Sequence, residues 1–144
     1  MNLSIRSLFT ALFLLAGAML DASAAELVVI VSARSTAPAL RNDQVAAIFL
    51  GQSAQLPDGA YVTAIDQQVG STARDEFYVR VAAKSPALLK AYWSKLLFTG
   101  RGQPPREAGG NAAVKKLVAD TPGLIGYIER SALDATVRPV LVLH

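Results

Sequence analysis

The sequence predicts an α/β domain, and two patterns along the chain lead to that prediction. Short apolar runs rich in β-branched residues recur in the sequence, and segments with the apolar spacing of a helix lie between them. Strands that alternate with helices are typical of a mostly parallel or mixed sheet.

The N-terminal residues 1–25 have the pattern of a secretory signal peptide. MNLSIRS carries Arg6, LFTALFLLAGAML is apolar, and DASAA offers small residues for cleavage after Ala24 or Ala25. The apolar run is shorter than the roughly 20 residues of a membrane span, and a retained anchor is the alternative. The sequence therefore predicts export to the periplasm and one folded domain over residues 26–144.

The composition argues against most classes of active site. The chain has no cysteine, and its only histidine is the last residue, His144, which disfavours a Ser-His-Asp triad. No His/Cys spacing fits a zinc site, and no glycine-rich nucleotide-binding motif is present. We expect no catalytic residue, no metal, no cofactor and no enzyme activity. The net charge of +3 is scattered, so no nucleic-acid binding is expected either.

Four strands and four helices follow from the periodicity. The predicted strands are 26–33, which reads as buried on both faces as in a parallel sheet, and 61–66, 124–128 and 137–143, the last with Pro139 indicating an edge position or an irregular start. The predicted helices are 43–51, 73–85, 86–98 and 112–120, followed by a helical turn near 129–133. The segment 99–110 is rich in Gly, Pro and Arg, and it is expected to be irregular.

The helix that begins after Ser85 has the clearest amphipathic pattern. One stripe is formed by Leu88, Leu89, Tyr92, Trp93, Leu96 and Leu97. Because Tyr92 and Trp93 share this stripe, we interpret them as core or interface residues and not as an aromatic platform for a ligand.

The turn between the second predicted strand and its helix is a candidate anion site. It contains Gly70, Ser71 and Thr72, and Arg74 follows one turn later. The first N–H groups of a helix lack intrahelical partners and the helix dipole is positive there, so Gly70 and Ser71 could donate main-chain N–H groups and Ser71 and Thr72 hydroxyl groups. Arg74 would add a bidentate guanidinium. The simpler alternative is that Ser71 or Thr72 only caps the helix.

A second turn of the same kind, Gly109–Gly110–Asn111, precedes the last predicted helix. We expect Gly110 and Asn111 to provide a second contact, because ligands in open α/β sheets bind beyond the carboxyl ends of strands. The alternative is again that Asn111 only caps the helix, beside a mobile surface loop. A third and weaker assignment places the end of the first strand, SARST (32–36), on the same rim.

Several segments together resemble the phosphate-binding proteins of ABC transporters. IFLG, LPDGAYVTAID, GSTARDEFYVRV, AYWSKLLFTGRGQPPRE and TPGLIGYI follow one another in the order of that family, over nearly all of residues 27–143. TPGLIGYI is similar to the family's TPGxIGY, and IFLG to its IFxG. The resemblance is strongest to the short, single-lobe members, and it implies one three-layer α/β lobe of a type 2 periplasmic binding protein.

The family pattern at the first turn is Arg-x-Asp-Gly-Ser-Gly-Thr, often followed by Arg. Gly70, Ser71 and Arg74 match it, whereas Gln67 stands at the family's Arg and Val69 at its Asp. The resemblance therefore implies weak binding of phosphate or a similar oxyanion, linked to phosphate transport or sensing. A second copy of the chain or a membrane transporter or sensor would supply the other wall of the site. The alternative function is a ligand-free interaction or sensory module in the cell envelope.

Overall fold

A computed structural model describes residues 25–144 as one five-stranded sheet with helices on both faces. The strands are β1 (Leu27–Ser32), β2 (Thr63–Asp66), β3 (Arg106–Glu107), β4 (Leu124–Glu129) and β5 (Val137–Leu143), in the spatial order β3-β2-β4-β1-β5. The helices are α1 (Asn42–Phe49), α2 (Thr72–Ala82), α3 (Pro86–Phe98) and α4 (Asn111–Asp120), and a 3-10 turn spans Arg130–Ala132. The predicted α/β class with a mixed sheet is confirmed.

The first strand runs against all the others. β2 is parallel to both β3 and β4, whereas β1 is antiparallel to β4 and to β5, its neighbours on either side. The prediction of a parallel first strand was therefore wrong, although every residue of β1 is buried as expected. Burial on both faces follows from the helices that cover them, and it does not determine strand direction.

Two apolar cores lie on opposite faces of the sheet. On one face, α1, α2 and α3 pack through an aromatic cluster in which the rings of Phe77 and Tyr127 stack at 3.8 Å and Phe49 meets Phe77 edge-on. On the other face, α4 packs Val114 and Val118 against the sheet. Alternate residues of β1 enter the two cores in turn, as the pleat of a strand requires.

The amphipathic stripe of α3 is narrower than the periodicity indicated. Leu89 and Trp93 are buried in the first core, and the hydroxyl group of Tyr92 donates to the carbonyl of Leu50. Leu88 and Leu97, in contrast, are more than half exposed, so their assignment to the buried stripe was wrong. The helix contacts the domain along one line of side chains, and its flanks remain in solvent.

The short strand β3, the edge strand β5 and the start of α1 add three details to the predicted elements. The segment expected to be irregular contains the short strand β3, because its main chain pairs with β2 at the sheet edge. Pro139 lies on the edge strand β5 as expected, opposite the point where the register with β1 shifts. Helix α1 begins after Arg41, whose N–H donates to the side chain of Gln44 at 2.9 Å.

The predicted signal peptide falls on residues 1–25, of which the structure describes only Ala25. Within the described chain, no helix is both long and apolar enough to cross a membrane.

The close packing of α4 on the sheet depends on Gly126. A Cβ atom at this position would lie 2.7 Å from Cγ1 of Val114 and 3.2 Å from Cγ2 of Val118. We expect Gly126→Ala to lower the free energy of unfolding by about 1–3 kcal/mol, measured by urea denaturation, because it overpacks this contact. Gly102→Ala, where a Cβ meets nothing closer than 3.9 Å, is the control.

Adding Val114→Ala to Gly126→Ala should restore part of the lost free energy of unfolding, because it shortens the side chain that the new Cβ atom meets. The double variant is expected to lose less stability than the sum of the two single changes, by roughly 0.5–3 kcal/mol. Strict additivity would show that the contact between Gly126 and Val114 does not limit the packing of α4.

Candidate oxyanion-binding site

The starts of α2 and α4 lie close together, beyond the carboxyl ends of β2 and β3. Helix α2 follows β2 and α4 follows β3, and these neighbouring parallel strands send their helices to opposite faces. Two main-chain hydrogen bonds join the loops that precede α2 and α4. The Gln68 N–H donates to the carbonyl of Gly109 at 3.0 Å, and the Ala108 N–H donates to the main-chain carbonyl of Asp66 at 2.9 Å. Such a divergence of connections creates a crevice beyond the carboxyl ends of the strands, where α/β proteins bind ligands.

The turn before α2 combines a capped helix with unpaired donors. The Ser71 hydroxyl accepts the N–H of Arg74 at 3.2 Å, so Ser71 is the N-cap. The N–H of Ser71 is also engaged, by the carbonyl of Gln68. Within residues 25–144, the N–H groups of Gly70, Thr72 and Ala73 have no hydrogen-bond partner. Gly70 has φ of +88°, a left-handed conformation that favours glycine.

The start of α4 has a different construction. Gly110 is the N-cap and has no side chain to accept a bond, so the first N–H groups of α4 are unpaired in the part of the chain that the structure describes. Asn111 is the first helical residue and not the cap. Its Oδ1 accepts from Nε2 of Gln67 at 2.9 Å and from the N–H of Glu129 at 3.1 Å. This oxygen therefore joins α4 to β4 and to the first turn.

A buried carboxylate lies directly beneath the α2 turn. Asp66, the last residue of β2, is 1% exposed. Its Oδ2 accepts from the Tyr78 hydroxyl at 2.7 Å and from Nε of Arg74 at 3.3 Å, and its Oδ1 accepts from the Tyr127 hydroxyl. Three donors from α2 and β4 thus converge on one carboxyl group, which offsets much of the cost of burying its charge.

The protonation of this cluster follows from its burial. Burial raises the pKa of Asp66, and the hydrogen bonds from Tyr127 and Tyr78 and the charge of Arg74 oppose that rise. Burial also raises the pKa of Tyr78 and of Tyr127, and the neighbouring Asp66 carboxylate raises both further. Both tyrosines therefore keep their hydroxyl protons and act as donors to Asp66.

Arg74 is largely buried, unlike the solvated guanidinium of a simple helix cap. Its side chain is 10% exposed, and the Nε atom is committed to Asp66. In the described residues neither Nη atom has a hydrogen-bond partner. In residues 25–144, the one fully buried side-chain polar atom without a hydrogen-bond partner is Nε1 of Trp93. Because the two Nη atoms of Arg74 also have no partner, they are not fully buried. The Nη edge of Arg74 therefore reaches solvent beside the turn.

A carboxylate of the chain itself already touches the crevice. Glu107, the last residue of β3, accepts the N–H of Val69 through Oε1 at 2.7 Å. Its side chain is exposed, so it can move away without breaking the core. An incoming anion would meet this negative charge at one side of the first turn.

The third predicted segment, 32–36, does not belong to this site. Because β1 is antiparallel to β4, its carboxyl end lies at the opposite end of the strands from the α2 and α4 starts. There the Ser32 hydroxyl donates to the carbonyl of Ala119, and Arg34 donates to that of Asp120, at the C-terminal end of α4. The assignment was wrong, because it assumed that β1 runs parallel to β2.

The sequence interpretation missed Asp66, Gln67, Tyr78 and Tyr127 as parts of the site. Gln67 is buried and donates through Nε2 to the carbonyl of Tyr127, so it supports the turn and does not face an anion. One signal was available: Tyr78 is one helical turn after Arg74, which places both on the face toward the end of β2. Nothing local identifies Tyr127, which is 61 residues from Asp66.

The fold is similar to that of several solved structures, and some of these are named for phosphate transport. One is described as a phosphate ABC transporter substrate-binding protein with bound phosphate from Clostridium perfringens, at 24% identity, a TM-score of 0.62 and 81% coverage of this chain. Others are an ABC-type phosphate transport receptor from Vibrio cholerae, at 16% identity and a TM-score of 0.63, and PstS from Borrelia burgdorferi, at 16% and 0.58, each covering 81% of this chain.

The chain spans less than half the length of these structures, 45%, 46% and 47% of them in that order. No protein-family model and no curated protein matches the sequence. At this level of identity the likeness concerns the fold, and residues 25–144 have the mixed α/β fold of one lobe of a periplasmic binding protein.

Proposed function

We propose that this chain is a periplasmic solute-binding-like protein that holds phosphate or a similar oxyanion weakly, without catalysing a reaction. The observation that carries the proposal is the pair of helix starts, α2 and α4, on either side of one crevice at the ends of β2 and β3. Unpaired main-chain N–H groups at both starts suit an anion that accepts several hydrogen bonds. The family of the structural neighbours supports a link to phosphate transport or sensing.

The charges around the crevice favour weak binding. Arg74 shares its charge with Asp66, and Glu107 places a carboxylate on the first turn. Gln67 and Val69 add no charge, and contacts that remain open to water contribute little each. We expect a dissociation constant near the millimolar range, about 4 kcal/mol of binding free energy, unless a partner closes the site.

A second function, a ligand-free interaction module, is favoured by exposed apolar side chains. Phe98 at the end of α3 is 93% exposed, and Val69 in the first turn and Leu88 near the start of α3 are more than half exposed. Exposed large apolar side chains are available for contact with a partner protein. In such a module Glu107 would occupy the turn permanently.

Size-exclusion chromatography with light scattering distinguishes the two functions. If the chain is a binding protein whose site is closed by a second copy, we expect its association state or its hydrodynamic size to change when phosphate is added. The anion would then lie between the crevice of one copy and the surface of the other. An unchanged monomer in both conditions would favour the interaction module.

Phosphate should raise the thermal unfolding temperature of residues 26–144. At ten times its dissociation constant, a ligand stabilises the folded state by about 1.4 kcal/mol. This corresponds to roughly 5 °C for a domain of this size. Sulfate, arsenate, molybdate and chloride at matched ionic strength are the comparison, and a flat response to all of them would refute oxyanion binding.

Glu107→Gln should strengthen phosphate binding several-fold, since it removes a carboxylate from the turn while the amide oxygen can still accept the Val69 N–H. Glu107 is exposed, and an interaction between exposed charges is worth on the order of 1 kcal/mol or less. Asp120→Asn makes the same charge change at the far end of α4, about 15 Å away by helix rise, and is expected to leave affinity unchanged. Equal effects of both variants would place the anion elsewhere.

Replacing Arg74 should damage stability as well as binding. Arg74→Ala leaves the Asp66 carboxylate buried without its charged partner, and we expect a loss of about 3 kcal/mol at pH 7, measured by urea denaturation. In the double variant with Asp66→Asn the loss attributable to Arg74 should be much smaller. Arg80→Ala, which breaks a half-buried pair with Glu76 on the same helix, should cost less.

The loss of folding stability in Arg74→Ala should increase as the pH rises. Loss of Arg74 removes a charge that lowers the pKa of Asp66, so the already raised pKa rises further in the variant. A folded state with a raised carboxyl pKa binds its proton more tightly than the unfolded chain, and its stability falls as pH rises. The deficit of Arg74→Ala should therefore be larger at pH 7 than near pH 4, and a constant deficit would contradict the buried charge pair.

A further inference from the structure

A cavity of about 480 Å³ opens beside the α2 turn, between the starts of α2 and α3. Its walls are largely carbon and include Val69, Pro86, Ala87 and Leu89. Small organic ligands occupy cavities of roughly 300–1,000 Å³, whereas an inorganic oxyanion would fill only a small part of this space.

Two basic residues and one acidic residue belong to the lining of the cavity. Arg74 lines it, and the Nη edge that Asp66 leaves unpaired is the part of this nine-tenths-buried side chain that reaches solvent. Gly70, whose N–H has no hydrogen-bond partner within residues 25–144, and Lys90 also line the cavity. Asp75 is the one acidic residue of the lining, and Lys90 balances its charge.

A second helix start faces the cavity. Pro86 and Ala87 are the first two residues of α3, and both belong to the carbon-rich wall of the cavity. The Arg74 guanidinium and the start of α2 thus border a space whose other walls are largely apolar. Apolar walls would gain nothing from a hydrated inorganic ion, but they would gain from burying a carbon group attached to it.

We infer that the ligand is an organic phosphate, in which a phosphate group is held at the α2 turn and Arg74 and an apolar substituent enters this cavity. The inference rests on the proposed function, because the phosphate group is the oxyanion that the turn would hold. It narrows that function to phosphate monoesters with a compact apolar group.

The test compares phenyl phosphate with inorganic phosphate on the mature chain, by isothermal titration calorimetry. We expect phenyl phosphate to bind at least about tenfold more tightly, since burying an apolar group the size of a core side chain contributes that much or more. Ala87→Phe, at an exposed position on the wall, should fill the cavity and remove this advantage while the affinity for inorganic phosphate is unchanged.

Ala91→Phe provides the matched control. Ala91 is also exposed on α3 and does not line the cavity, so this variant should keep the preference for phenyl phosphate. Circular dichroism and urea denaturation establish that both variants fold.

Each outcome separates the two proposals. Equal affinity for the two phosphates, or an advantage that Ala87→Phe leaves intact, overturns the organic-phosphate inference while the proposed oxyanion binding stands. Absence of binding by either phosphate overturns both. A phenyl advantage that is lost in Ala87→Phe and kept in Ala91→Phe supports the inference.

Discussion

The buried carboxylate of Asp66 is the interaction on which the candidate site depends. It ends β2 and draws in the Tyr78 hydroxyl and the Arg74 guanidinium from α2 and the Tyr127 hydroxyl from β4. A charge removed from water at this depth is tolerated only when donors converge on it. The requirement to satisfy Asp66 therefore sets where α2 begins relative to the sheet, and with it where the unpaired N–H groups of the turn point.

The sheet topology determines what stands opposite that turn. Because β2 and β3 are parallel neighbours whose helices leave to opposite faces, α2 and α4 begin at one crevice. The side chain of Asn111 and the main chain of Gly109 tie the two starts together through Gln67 and Gln68. The site is therefore a property of strand order, and the local sequence of either turn would not create it alone.

Charge at the site is balanced within the chain itself. Arg74 is paired with Asp66, and Glu107 contacts the turn from β3, so little positive charge remains for a ligand. The positive potential that remains comes from helix starts and from the Nη edge of Arg74, next to a mainly carbon-lined cavity. This combination suits a weakly held anion with an apolar part better than a strongly hydrated inorganic ion.

The sequence by itself determined the α/β class, most of the helices and strands, and the two turns with donors, because periodicity, caps and glycines act over a few residues. Ser71 caps α2, which was one of the two alternatives for that turn, and Ser85 caps α3 directly before the predicted helix start. Only the tertiary structure decided the direction of β1, the exposure of Leu88 and Leu97, and the burial of Arg74 against Asp66. These depend on which strand lies beside which, and on groups such as Tyr127 that approach from distant parts of the chain. No local pattern encodes such contacts, since their energy comes from packing and desolvation that exist only in the folded chain.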